Sequence, residues 1–147
     1  MTERVGEHRG VGLLVTDAAR QRFYVQQKDA SYPNFPRAYS FFGGACEAGE
    51  TVEAALAREL REELGPKTAD MLLEREPVAL GSYVVTPAAF RFTLFETVVD
   101  HTTLERLAAA PVFEGERGAV VTRGELAALP FVWGLERVVA AYLRRLP

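Results

Sequence analysis

Apolar and polar positions along this chain follow two different periods. Residues 11–16 (VGLLVT) form a short apolar run of strand formers, residues 17–20 read as a turn, and residues 22–27 (RFYVQQ) as a second strand, which together predict a hairpin. Residues 28–37 hold Pro33, Pro36, Asn34 and Asp29 and read as a loop. Residues 38–42 (AYSFF) are strand-like and run into Gly43-Gly44. The pattern then switches. Val52, Ala55, Leu56, Leu60 and Leu64 recur at helical spacing with charges between them, so residues 51–64 predict a helix that Gly65-Pro66 closes. Residues 77–85 and 89–99 predict strands joined at Thr86-Pro87. A short helix or a loop with helical turns is expected over 102–110, a strand over 118–121, and helices over 123–129 and 133–146. Interleaved strands and helices without a linker or repeat predict one α/β domain, a mixed sheet with helices on its faces.

Composition narrows the function classes. At 147 residues with 48% hydrophobic content, the chain can bury one core without staples. Its net charge of −3 offers no global attraction for nucleic acid or an anionic membrane, and neither partner is expected. The polar start Met1-Thr2-Glu3-Arg4-Val5 and the lack of a long apolar run predict no leader and no span. Cys46 is the sole cysteine, so no internal disulfide forms, and a cytoplasmic protein, monomer or homodimer, is expected.

The candidate chemistry lies in residues 44–66, GACEAGETVEAALARELREELGP. Glu59, Glu62 and Glu63 stand at i, i+3 and i+4, which on a helix brings three carboxylates to one face. Hard oxygen donors suit Mg²⁺ or Mn²⁺, and Mg²⁺ leaves positions open for water and substrate phosphates. Taken alone, such a cluster reads as a solvated acidic face with Arg58 and Arg61 as ordinary ion-pair partners. The surroundings change that reading. Gly44, Glu50, Arg58, Glu59, Leu60, Glu62, Glu63 and Gly65 fit the pattern G-x5-E-x7-R-E-U-x-E-E-x-G-U, where U is bulky and aliphatic; Pro66 departs at the last position, and Phe42 stands where Pro often precedes the glycines.

This stretch resembles the Nudix box. The resemblance implies an α/β/α sandwich with a mixed β-sheet between helices. It further implies a metal-dependent hydrolase that cleaves a diphosphate bond in a nucleoside diphosphate linked to another moiety: a nucleoside triphosphate, a dinucleoside polyphosphate or a nucleotide sugar. Glu59, Glu62 and Glu63 with a carbonyl near Gly44 are then the metal set, for magnesium or manganese. Arg58 is expected to pair with Glu50 and lock the loop, Gly43 to allow close backbone approach, and Gly65 to end the helix. The general base is one of the box glutamates or a glutamate of a later loop, with Glu114 and Glu116 as candidates. Tyr83, Tyr39 and Phe35 are candidate substrate contacts, whereas Trp133 reads as a packing anchor. A nucleotide sensor without catalysis is the alternative.

Overall fold

The computed structural model describes residues 8–85 and 90–147; the turn at Thr86-Pro87, the start of the strand expected from 89, and Met1 to Val5 lie outside the described residues. Among the described residues, seven strands form one mixed sheet. Strand β1 (Arg9–Thr16) is its axis. It pairs in parallel with β6 (Phe90–Val98), and β6 pairs antiparallel with the edge strand β5 (Val78–Val85). Its other edge is shared. The Thr16 end meets β2 (Arg22–Gln27), the predicted hairpin partner, and the Gly10 end meets β4 (Phe42–Ala45). On β2, β7 (Arg117–Thr122) takes the outer edge, while β3 (Tyr39–Ser40) pairs with Gln26 and Gln27 on the edge that β1 also uses.

That sharing explains a difference from the expectation for residues 38–42. They do not form one strand. The chain must leave the edge of β2 to reach the far end of β1, and it breaks at Phe41, whose ring packs between Phe92 (5.6 Å) and Phe131 (5.4 Å).

Alternation along β1 sends Val11, Leu13 and Val15 to one face and Leu14 to the other, as the pleat requires. The first face is covered by α1 (Val52–Leu64), α2 (Pro66–Leu73) and α3 (His101–Ala109) through Leu56, Leu60, Leu72, Leu104 and Leu107. The second is covered by α4 (Arg123–Ala128) and α5 (Glu136–Arg145) through Leu126, Val138, Val139 and Tyr142. Each fully buried leucine contributes roughly 1.5–3 kcal/mol. The result is an α/β/α sandwich.

Two helix boundaries differ from expectation. Gly65-Pro66 ends α1, but Pro66 also opens α2, which the sequence reading did not contain. A missing N–H costs nothing at the first helical position, and Gly65 at φ +82° turns the chain between the two axes. The last helix begins at Glu136 rather than at 133: a 3₁₀ turn (Val132–Gly134) precedes it, with Trp133 at φ 55°.

Candidate functional site

Helix α1 is locally over-determined. Thr51 caps it by accepting from the Ala54 N–H at 3.1 Å, and Gly65 N–H closes the far end on the Arg61 carbonyl at 3.0 Å. Its inward stripe of Ala55, Leu56, Leu60 and Leu64 fixes the rotation of the helix, and that rotation sorts the three glutamates. Glu63 falls inside, 1% exposed. Glu59 falls at the boundary. Glu62 falls at the exposed rim, where Arg58 reaches it at 3.4 Å.

Glu63 is held from two sides. Its Oε1 accepts the Gly43 N–H at 2.7 Å, and its Oε2 faces the Gln26 amide at 3.5 Å. Gly43 is required there: it sits at φ +147°, and a Cβ would stand 2.1 Å from the Val11 carbonyl oxygen. A Cβ on Gly44 would stand 2.6 Å from the Glu59 carboxyl carbon, so both glycines admit a carboxylate directly against the backbone.

The loop before α1 is tied down by Arg58. Its Nε and Nη2 donate to Glu50 at 2.8 and 2.9 Å, Nη2 also to the Ala45 carbonyl at 3.0 Å, and Nη1 to Glu59 at 3.0 Å. The bidentate guanidinium and the Glu47 N–H hold the Glu50 carboxyl down at about 2.

A third carboxylate arrives from the 111–116 loop. Phe113 N–H donates to the Glu63 carbonyl at 2.7 Å, and Glu116 N–H to the Gln27 carbonyl at 2.9 Å. Between these anchors Glu114 meets Glu59 and Glu63, with one oxygen from each of the three within 4.8 Å of the others. Glu116 turns away to Arg37, 3.4 Å distant. Burial and the neighbouring Glu114 push Glu63 up to about 9, and burial also raises Glu59. Three oxygen donors converging with this much unbalanced charge fit a hard divalent cation, which would stabilise them as carboxylates.

Beside the carboxylates opens a cleft of about 860 Å³, floored by Gly43 and Gly44 and walled by Tyr32, Phe41, Phe90, Phe92 and Trp133. Trp133 is 39% exposed, and its indole N–H donates to the Tyr32 hydroxyl at 2.9 Å. Lys28 lies over the Tyr32 ring, 5.0 Å from its centroid. Phe35 does not line the cleft but braces Trp133 at 4.8 Å. Tyr39 and Tyr83 pack against the α5-side core and also lie outside the cleft lining.

Sequence reasoning missed Trp133, Gln26 and Lys28. For Trp133 a signal existed, since Trp-Gly after Pro130 favours an irregular start over a regular helix. Gln26, fully buried with its Oε1 unpartnered and its Nε2 also on the Glu114 carbonyl at 3.2 Å, carried none.

A mixed sheet between two helical layers, with a carboxylate-bearing helix locked onto a glycine loop, defines the class of fold. The NUDIX domain model matches residues 6–142, and the chain belongs to that family. No curated protein matches it. Among solved structures it is similar to a mutT/nudix family protein from Listeria innocua (16% identity, TM-score 0.69, 97% of this chain and 95% of that one). It is also similar to a MutT protein from Methanosarcina mazei (14%, TM-score 0.64, 93% of both). A third is the dihydroneopterin triphosphate pyrophosphohydrolase of E. coli (15%, TM-score 0.61, 99% of both). Among the described residues no helix is long and apolar enough to cross a membrane.

Proposed function

We propose that this chain hydrolyses a diphosphate bond in a nucleoside diphosphate derivative, with a divalent cation held by Glu59, Glu63 and Glu114. The observation that carries the reading is the meeting of those three carboxylates beside an aromatic cleft floored by Gly43 and Gly44. Magnesium or manganese bound there would neutralise the diphosphate and polarise the attacking water. The residues of the chain divide the remaining work. Arg58 and Glu50 keep the loop rigid, so that Glu59 and the Gly44 backbone stay in register. Glu62, at the rim, supports Arg58. Glu114, the most exposed of the three, accepts the proton of the water as its oxygen attacks phosphorus and the phosphate leaving group departs. Tyr32 and Trp133 present ring faces on which a base stacks, with Lys28 opposing phosphate charge.

The test is turnover of a panel comprising nucleoside triphosphates, ADP-ribose, nucleotide sugars and dinucleoside polyphosphates, with Mg²⁺ and then with chelator, and with products identified. Metal-dependent cleavage of at least one member is expected. Binding without turnover across the panel would overturn catalysis in favour of a nucleotide sensor.

A further inference from the structure

A second concave surface lies at the other end of β1. The Glu63–Gly43 contact sits level with Gly12, and this pocket opens beyond Thr16, four residues or roughly 13 Å further along the strand. It encloses about 380 Å³ between the 17–21 turn, the start of α4 and the end of α5. Arg20, Arg123 and Arg145 line it against one carboxylate side chain, Glu96, and the chain's last residue, Pro147. Glu96 is already satisfied: Arg20 Nη2 donates to one oxygen at 2.9 Å and the Tyr142 hydroxyl to the other at 2.5 Å.

Of the other two arginines, Arg145 donates to the Leu80 carbonyl at 3.0 Å, and Arg123 to a carboxylate oxygen of Pro147, the last residue, at the long distance of 3.4 Å. The Leu80 carbonyl takes a hydrogen bond but leaves the full positive charge of Arg145 in place. Three arginines against Glu96 and the Pro147 carboxylate leave the pocket a surplus of one positive charge in a chain whose net charge is −3. Arg20 is also held at φ 53°, outside the usual range for a side-chain-bearing residue, by the Arg20 N–H to Asp17 carbonyl bond at 3.0 Å. Guanidinium groups facing a partly apolar hollow are the donor set that recognises phosphate oxygens bidentately.

We propose that this pocket binds a phosphate group, either free phosphate or that of a small phosphomonoester, separately from the carboxylate site. Arg123 and Arg145 grip the phosphate, and Arg20, oriented by Glu96, forms the back wall. The pocket volume, near the low end for ligand sites, admits a sugar phosphate more readily than a dinucleotide.

The experiment is a calorimetric titration of the full chain in chelator at low ionic strength, with inorganic phosphate in one arm and ribose 5-phosphate in the other. Saturable binding in at least one arm is expected, and the tighter arm identifies the source. Arg123→Gln and Arg145→Gln each weaken it roughly tenfold or more, the loss expected for a charge-assisted hydrogen bond. Trp133→Ala leaves it unchanged. Both arginines are at least partly exposed, and circular dichroism should show both variants folded. No saturation up to about 10 mM in either arm would overturn the proposal. So would binding that survives both arginine changes, or binding lost in Trp133→Ala.

Discussion

Replacing Gly44 by alanine separates the geometry of the site from the stability of the fold. The new methyl would stand 2.6–2.7 Å from the three carboxyl atoms of Glu59, so that group must retreat by about 0.8 Å to reach ordinary contact at 3.4 Å. The atoms that yield are the far end of a flexible side chain, so the fold should lose no more than about 1 kcal/mol, a Tm shift of roughly 2–4 °C for a chain of this size. Catalysis should lose far more, because a misplacement of about 1 Å in a positioned group costs on the order of a hundredfold. Gly43→Ala is the contrast. There the methyl meets the Val11 carbonyl oxygen at 2.1 Å at a φ of +147°, so backbone must move, and roughly 3 kcal/mol or more of stability should go with it. Melting curves and turnover on whichever substrate the panel identifies would be measured on both variants. A Gly44→Ala protein with near-normal turnover would refute the placement of Glu59, and one that melts as early as Gly43→Ala would refute the claim that only a side chain yields.

Glu63 should make the metal-free protein sensitive to pH. Its folded-state value lies near 9, above the unfolded value near 4.5, so its contribution is fully present below about 4.5 and is lost as pH rises toward 9. The Tm in chelator should fall across that window; Glu63→Gln should flatten the fall, and an unchanged slope in the variant would count against the burial argument. Trp133→Ala should raise KM roughly tenfold with kcat within about twofold, since the ring stacks and does not react; a loss confined to kcat would remove it from the binding wall. Leu60→Ala, at a fully buried position, should cost 2–5 kcal/mol by urea unfolding, and a cost under about 1 kcal/mol would mean α1 is not seated as described.

How much of this was legible in the sequence depended on how local the signal was. The stripe from Ala55 to Leu64 repeats within one helix, so α1 could be read directly, and with it the meeting of Glu50 and Arg58 across one loop. The same spacing could not sort Glu59, Glu62 and Glu63, because their sorting depends on the rotation at which Leu56 and Leu60 dock on the sheet. Pro66 reads as a stop because a proline disfavours helix in the residue before it, and no neighbouring pattern signals that a new helix begins on it. Trp133 reads as packing because a large aromatic usually is packed. Only its left-handed backbone, set by the turn between Pro130 and α5, puts the ring into the cleft. The sequence offers Glu114 and Glu116 alike, and what distinguishes them is Phe113 docking to the end of α1, a contact no local pattern encodes.

The parallel pairing at the heart of the sheet sets an order of events. Arg9 lies opposite Arg91, and Gln27 opposite Arg117, so the sheet is completed only by strands from the second half of the chain. Such distant closures are slow, in the millisecond-to-second range typical of sheets with many non-local contacts. Helix α1 can begin to wind early. A nascent chain halted before β6 would carry Glu59 and Glu63 on that helix against an unfinished sheet, and the third carboxylate would not yet have been synthesised.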